Sequence, residues 1–191
     1  HLKAQAPKKT WDFTIMPTEE EDQLRQDANW ESIDDHGKHY YSNKQNIGRS
    51  VGTKTLSANE IGPFTSPISA NGKAIESWRG LQFGIFVNGN SKPLSAGKLL
   101  ISHDEGQRVL RLNAKGIAIV IPNCKKGQTI TVHYKSTSKA AKNYLQAEAN
   151  VEVLQGFATP DDGALIQESI GKVKADVDVV FTTTNGLFIF D

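Results

Sequence analysis

The sequence predicts an all-β fold: a two-sheet antiparallel sandwich of the jelly-roll kind, with one short N-terminal helix. Three observations carry this. The first is the run Thr129-Ile130-Thr131-Val132-His133-Tyr134-Lys135. Ile130, Val132 and Tyr134 fall on one face and Thr129, Thr131, His133 and Lys135 on the other, the period of two that a half-buried strand requires. The second is that such alternations recur through the C-terminal half, cut by Gly, Asn, Asp and Pro turn signals. The third is that strands do not alternate with helical patterns, which disfavours a parallel α/β sheet. The expectation is on the order of eight to twelve strands in two packed sheets.

Taken in chain order, residues 1–10 are small, basic and without periodicity, and read as a flexible linker before a single domain over 11–191. A first residue that is histidine suggests trimming, as of an export signal. Trp11-Asp12-Phe13-Thr14-Ile15-Met16 alternates and reads as a first strand, stopped by Pro17. Thr18-Glu19-Glu20-Glu21 is a capping-box pattern in which Glu21 reaches back to the Thr18 amide, and acids in the first turn complement the helix dipole. A helix over 19–27 follows, with Leu24 and Ala28 inward. Residues 30–50 are polar, aromatic and irregular, and long irregular stretches are often functional.

Strands then come quickly. Leu81, Phe83 and Ile85 share a face, and Asn88-Gly89-Asn90 makes a loop. A strand over 98–102 turns at Asp104-Glu105-Gly106 into one with Leu110 and Leu112 inward. Ile117, Ile119 and Ile121 line the next, closed by Pro122. Two short strands are expected within 144–154, a loop at 160–163 and a single strand over 173–184. Asn185-Gly186 is a strong hairpin signal, with Leu187-Phe188-Ile189-Phe190 pairing back as a central strand. There is no internal repeat and no heptad.

Composition narrows the function classes. The chain has 191 residues, enough to bury a core unaided, and an ordinary globular balance of 38% hydrophobic and 23% charged residues. Basic and acidic residues nearly cancel, 22 against 21, and no basic block tracks a phosphate backbone, so nucleic acid is not the expected partner. No apolar run approaches the ~20 residues of a membrane span. The lone Cys124 cannot form an internal disulfide. That suits a cytosolic protein or an exported bacterial one, and places Cys124 as a turn residue without chemistry.

Four segments in order resemble a domain of secreted and surface proteins of gut Bacteroidetes. They are Trp11-Asp12-Phe13-Thr14; Gly80-Leu81-Gln82-Phe83; residues 121–132 from Ile121-Pro122-Asn123-Cys124 onward, continuing to Lys135-Ser136; and Phe181-Thr182-Thr183-Thr184-Asn185-Gly186-Leu187-Phe188-Ile189. The resemblance runs from about Trp11 onward. It implies a galactose-binding-like jelly roll beside polysaccharide lyases or hydrolases, at the surface of a Gram-negative bacterium or in its periplasm. It transfers no catalytic residues.

Enzyme signatures are absent: no Gly-x-Ser-x-Gly elbow, His-Glu-x-x-His, P-loop or dinucleotide fingerprint. A carboxylate pair for glycoside hydrolysis needs only to converge in space. His36 and His39, with Asp34 and Asp35, supply metal-type donors on a loop without fixed geometry. Asp161 and Asp162 offer the oxygens that calcium prefers, without a recognisable calcium loop; no cofactor is otherwise expected.

The leading expectation is a non-catalytic module that binds glycan by stacking sugar rings on aromatics, tethering a neighbouring catalytic domain or larger assembly to polysaccharide. Trp30, Tyr40, Tyr41, Trp78 and Arg79 are the candidate binding residues, although Trp11 and Trp78 also suit a core. A second candidate surface is the polar strand face carrying Arg111, Asn113, His133 and Lys135, a pattern shared with any solvated sheet face, which is the reading preferred from sequence. The alternatives are a jelly-roll glycoside hydrolase or polysaccharide lyase, and a structural or adhesion module without a small ligand.

Overall fold

The computed structural model describes residues 9–16, 18–26, 30–35, 38–43 and 78–191. They form one helix, α1 (Thr18–Gln26), and thirteen strands in two antiparallel sheets. The strands are β1 (Trp30–Asp35), β2 (Lys38–Asn43), β3 (Gln82–Val87), β4 (Asn90–Lys92), β5 (Leu99–Asp104), β6 (Gln107–Leu112), β7 (Ile117–Cys124), β8 (Thr129–Ser136), β9 (Leu145–Ala147), β10 (Val151–Gln155), β11 (Gln167–Val173), β12 (Val177–Thr183) and β13 (Leu187–Ile189). The eight-stranded sheet runs β1-β2-β5-β6-β13-β8-β11-β10, and the five-stranded sheet β4-β3-β7-β12-β9. This is the expected two-sheet sandwich with one short helix.

The alternation read from sequence fixes which side chains meet between the sheets. Phe83 and Ile85 of β3, Ile117 and Ile119 of β7 and Phe181 of β12 join Ile101, Leu110, Tyr134, Leu187 and Ile189 of the larger sheet in one core. The buried Tyr134 hydroxyl is satisfied by Ser169 Oγ at 2.8 Å, which also accepts the Phe157 amide at 2.9 Å. Burying both hydroxyls together avoids the cost of an unpaired polar group.

Five details differ from the expectation. Residues 11–16 are not a strand: Asp12 Oδ1 accepts the Thr14 amide at 2.9 Å, a local Asx turn that competes with ladder pairing. Ile15 is consequently exposed, while Phe13 is buried. Glu21 does not serve a capping box; its carboxylate takes Arg108 at 3.1 Å and the Tyr41 hydroxyl at 3.1 Å. Part of the segment expected to be irregular is the β1–β2 hairpin, in register from Trp30↔Asn43 to Asp35↔Lys38. The strand expected over 173–184 is β12, which starts later, at Val177: Val173 ends β11, in the other sheet, and the polar turn at Lys174-Ala175-Asp176 separates the two. Finally, Asn185-Gly186 is a turn but not a hairpin: β13 pairs with β6 and β8 rather than β12, so the turn carries the chain from one sheet to the other. Ala28 lies outside the described residues.

Gly156, which follows β10, has φ +66°, and a Cβ there would lie 2.9 Å from the Ser169 Cα. Both the left-handed backbone and the close approach demand glycine. Gly156→Ala is expected to destabilise the fold by about 1–3 kcal/mol, read as a lower urea midpoint; an unchanged midpoint contradicts this account of the β10–β11 connection.

Candidate functional site

The aromatic platform expected from sequence is inside the protein. Trp30, Tyr41 and Trp78 are only 5%, 1% and 2% exposed. Trp78 meets Phe13, Trp30 and Phe83 edge-on, with ring centroids 5.9, 6.2 and 6.1 Å apart. These are favoured packing geometries, and they leave no ring face for a sugar. The Tyr41 hydroxyl accepts from Arg25 Nε at 2.9 Å and donates to Glu21, fastening α1 to β2. Burial alone would raise the Glu21 carboxyl; the Arg108 bond and charge, then Tyr41 and Arg25, outweigh it and hold it below the ordinary value. Arg79 is exposed, and its carbonyl takes the Trp11 indole N–H at 2.8 Å. The Tyr40 side chain lies outside the described residues, as do His36 and the side chains of Asp34, Asp35 and His39.

The structure instead draws together most of the second candidate surface. In β8 the odd residues His133 and Lys135 point away from the core-facing Tyr134. Register places Leu100, Arg111, Phe188 and Lys135 in one row across β5, β6, β13 and β8. Asn113 lies beyond the end of β6 and is exposed, its amide tied to the Lys98 carbonyl at 2.9 Å.

This outer face is concave. Lys135 of β8 forms an ion pair with Asp104 of β5, although β13 and β6 lie between their strands. Three strand spacings in a flat sheet measure about 14 Å, beyond the reach of the two side chains, so the sheet curls toward this face. Both side chains are largely withdrawn from water, at 11% and 16% exposure. Beneath the charges, Ser102, Val109 and Phe190 are buried. The Arg111 guanidinium lies 5.7 Å from the Phe188 ring centroid, a cation–π distance. Its Nε is buried and has no hydrogen-bond partner among the described residues.

His133 sits between two carboxylates from distant parts of the chain. Its Nδ1 lies 2.5 Å from Asp191 Oδ1, and its Nε2 lies 2.9 Å from Glu168 Oε2, directly across from it on β11. Both ring nitrogens can donate only in the imidazolium form. Asp191 first, then Glu168, raises the imidazole above its ordinary value, against the opposing effect of burial. Sequence gave no signal for this cluster, because its members are 35 and 58 residues apart.

Other expected donors are occupied locally. Asp162 Oδ1 accepts the Ala164 amide at 2.9 Å. Cys124 is buried at the end of β7, with its thiol pushed up to about 11 by burial and then by Asp178, so it stays protonated. Among the described residues no three His, Cys, Asp or Glu side chains form a metal-holding group, and no helix is long and apolar enough to cross a membrane. No family model, curated protein or solved structure matches the chain.

Two outcomes follow. Trp78→Ala is expected to lower stability by about 3–5 kcal/mol through the cavity it leaves; unchanged urea stability would return this ring to the candidate binding residues. His133 gains partners on folding, so its folded pKa lies above its unfolded value near 6.5. The resulting stabilisation is complete below about pH 6.5 and is lost as pH rises through the raised folded value. Urea midpoints across pH 6–9 should fall less steeply for His133→Gln than for the parent, and parallel slopes would refute the bracket.

Proposed function

We propose that this chain is a non-catalytic glycan-binding module of an exported bacterial protein, and that it takes sugar on the concave outer face of the eight-stranded sheet. The observation that carries this reading is the Arg111–Phe188 pair on that face, a partly buried guanidinium set over a partly buried aromatic ring. Sugar hydroxyls donate and accept, and they suit a surface where cations and carboxylates lie close together. Lys135 with Asp104, and His133 with Asp191 and Glu168, provide such neighbours. A concave sheet can surround part of a chain-like ligand without a deep pocket.

Binding is favoured over hydrolysis by the placement of the acids. In a glycosidase the two carboxylates flank the scissile bond. Here the space between Asp191 and Glu168 is filled by the His133 ring. The third acid, Asp104, is held by Lys135. The resemblance to surface domains that accompany polysaccharide-degrading enzymes is in keeping with a tethering role.

A glycan array followed by calorimetry on the best ligand tests the proposal. Arg111→Ala should weaken binding about 10- to 100-fold, the worth of a charge-assisted hydrogen bond, with the circular dichroism spectrum unchanged. Undiminished affinity in Arg111→Ala would remove this face as the site. Reducing-sugar release by the purified protein would replace the binding reading with the enzymatic one.

A further inference from the structure

We propose that the glycan is polyanionic, and that Lys126, Lys172 and Lys174 form a subsite for its carboxylate or sulfate groups. This rests on the glycan reading above and names the ligand class. The three lysines line one open depression together with Glu152. Lys172 belongs to β11 and lies four residues beyond Glu168. Even spacing keeps both on the same sheet face, about 13 Å apart along the strand. The depression therefore continues the outer face away from His133.

The subsite is built on fixed backbone. Lys126 lies in the β7–β8 turn, its amide held by Asp176 Oδ1 at 2.9 Å. The next residue, Gly127, donates to the Val173 carbonyl at 2.8 Å, and Val173 returns a bond to Gln128 at 2.8 Å. Lys174 donates its amide to the Asn150 carbonyl at 2.9 Å. Two turns and a strand are thus pinned together, and the lysine stems leave from ordered positions. Against these three lysines stand two carboxylates: Glu152, directly across the ladder from Lys172, and Asp176, which holds the Lys126 amide. The remaining positive charge is what an anionic polymer would neutralise, in an open, salt-sensitive manner. Carboxylate and sulfate share this chemistry, and the ligand panel separates them.

The test is calorimetry or affinity electrophoresis of the full chain with polygalacturonate, dextran sulfate, unmodified dextran and double-stranded DNA. The parent should bind one or both anionic polysaccharides more tightly than dextran or DNA, and lose affinity as NaCl rises from 50 to 300 mM. The combined variant Lys126→Gln, Lys172→Gln, Lys174→Gln should lose about tenfold in affinity for that polymer, the expectation for three exposed charges. It should leave any binding to dextran unchanged. Equal affinity for dextran, equal affinity for DNA, or an unaltered triple variant overturns the inference. The Arg111→Ala variant runs in parallel: if it abolishes dextran binding while the triple variant changes nothing, the concave face stands and the polyanion subsite falls. If no polysaccharide binds at all, the glycan reading itself falls.

Discussion

In the eight-stranded sheet, β6 and β8 are joined only through β13, a strand of three residues. Leu187 pairs at once with Leu112 and Ser136, and Ile189 with Leu110 and Tyr134. The same insertion sends Leu187 and Ile189 into the core and Phe188 out beneath Arg111. Core and candidate site therefore share one backbone constraint. It is secured at its entry, where Gly186 O accepts Asn143 Nδ2 at 2.9 Å and the Thr137 amide at 3.2 Å. A short strand that joins segments far apart in sequence must close long loops before it gains contacts, so this region is expected to form late in folding.

Curvature follows from the same arrangement. The Lys135–Asp104 pair crosses β13 and β6, so it reports on the shape of four strands together. A largely buried ion pair is weak support for stability, because desolvation offsets much of its attraction. Its consequence here is positional. The pair spans the strands that carry Arg111 and Phe188, and the face is concave around them. The His133 bracket acts similarly farther across the sheet, tying β8 to β11 and to the end of the chain at Asp191.

The fold was legible wherever a strand carries one buried face. β8 shows its alternation openly, and Ile130, Val132 and Tyr134 face inward as read. What sequence did not reveal is pairing. Asn185-Gly186 announces a turn in either setting, but the partner of β13 depends on sheet order, which local pattern does not encode. The late start of β12 was hidden because alternation runs on through 173–177, and the β1–β2 hairpin because its residues alternate poorly. The site was less legible still. Trp30 and Tyr41 stand in polar sequence, which suggests exposure, yet both join Phe13 and Trp78 in the main core, where Trp78 packs edge-on against Phe13 and Trp30. Arg111, His133 and Lys135 looked like any solvated strand face, since their partners come from distant strands.

In the proposed reading the binding role moves from rings to charges, which changes what gives the site its strength. An exposed tryptophan offers a sugar apolar area with little to lose when it is empty. Arg111 is in a different position. Its guanidinium lies against Phe188, and its Nε has left water without gaining a partner among the described residues. Such an unmet donor costs about 1–3 kcal/mol in the folded protein. That closed-off Nε is not within a ligand's reach; what the aromatic ring offers a ligand is the fixed orientation of a side chain that is only partly buried. An open, shallow face can in this way bind more firmly than its contact area suggests, because part of the cost of ordering the guanidinium was met when the chain folded.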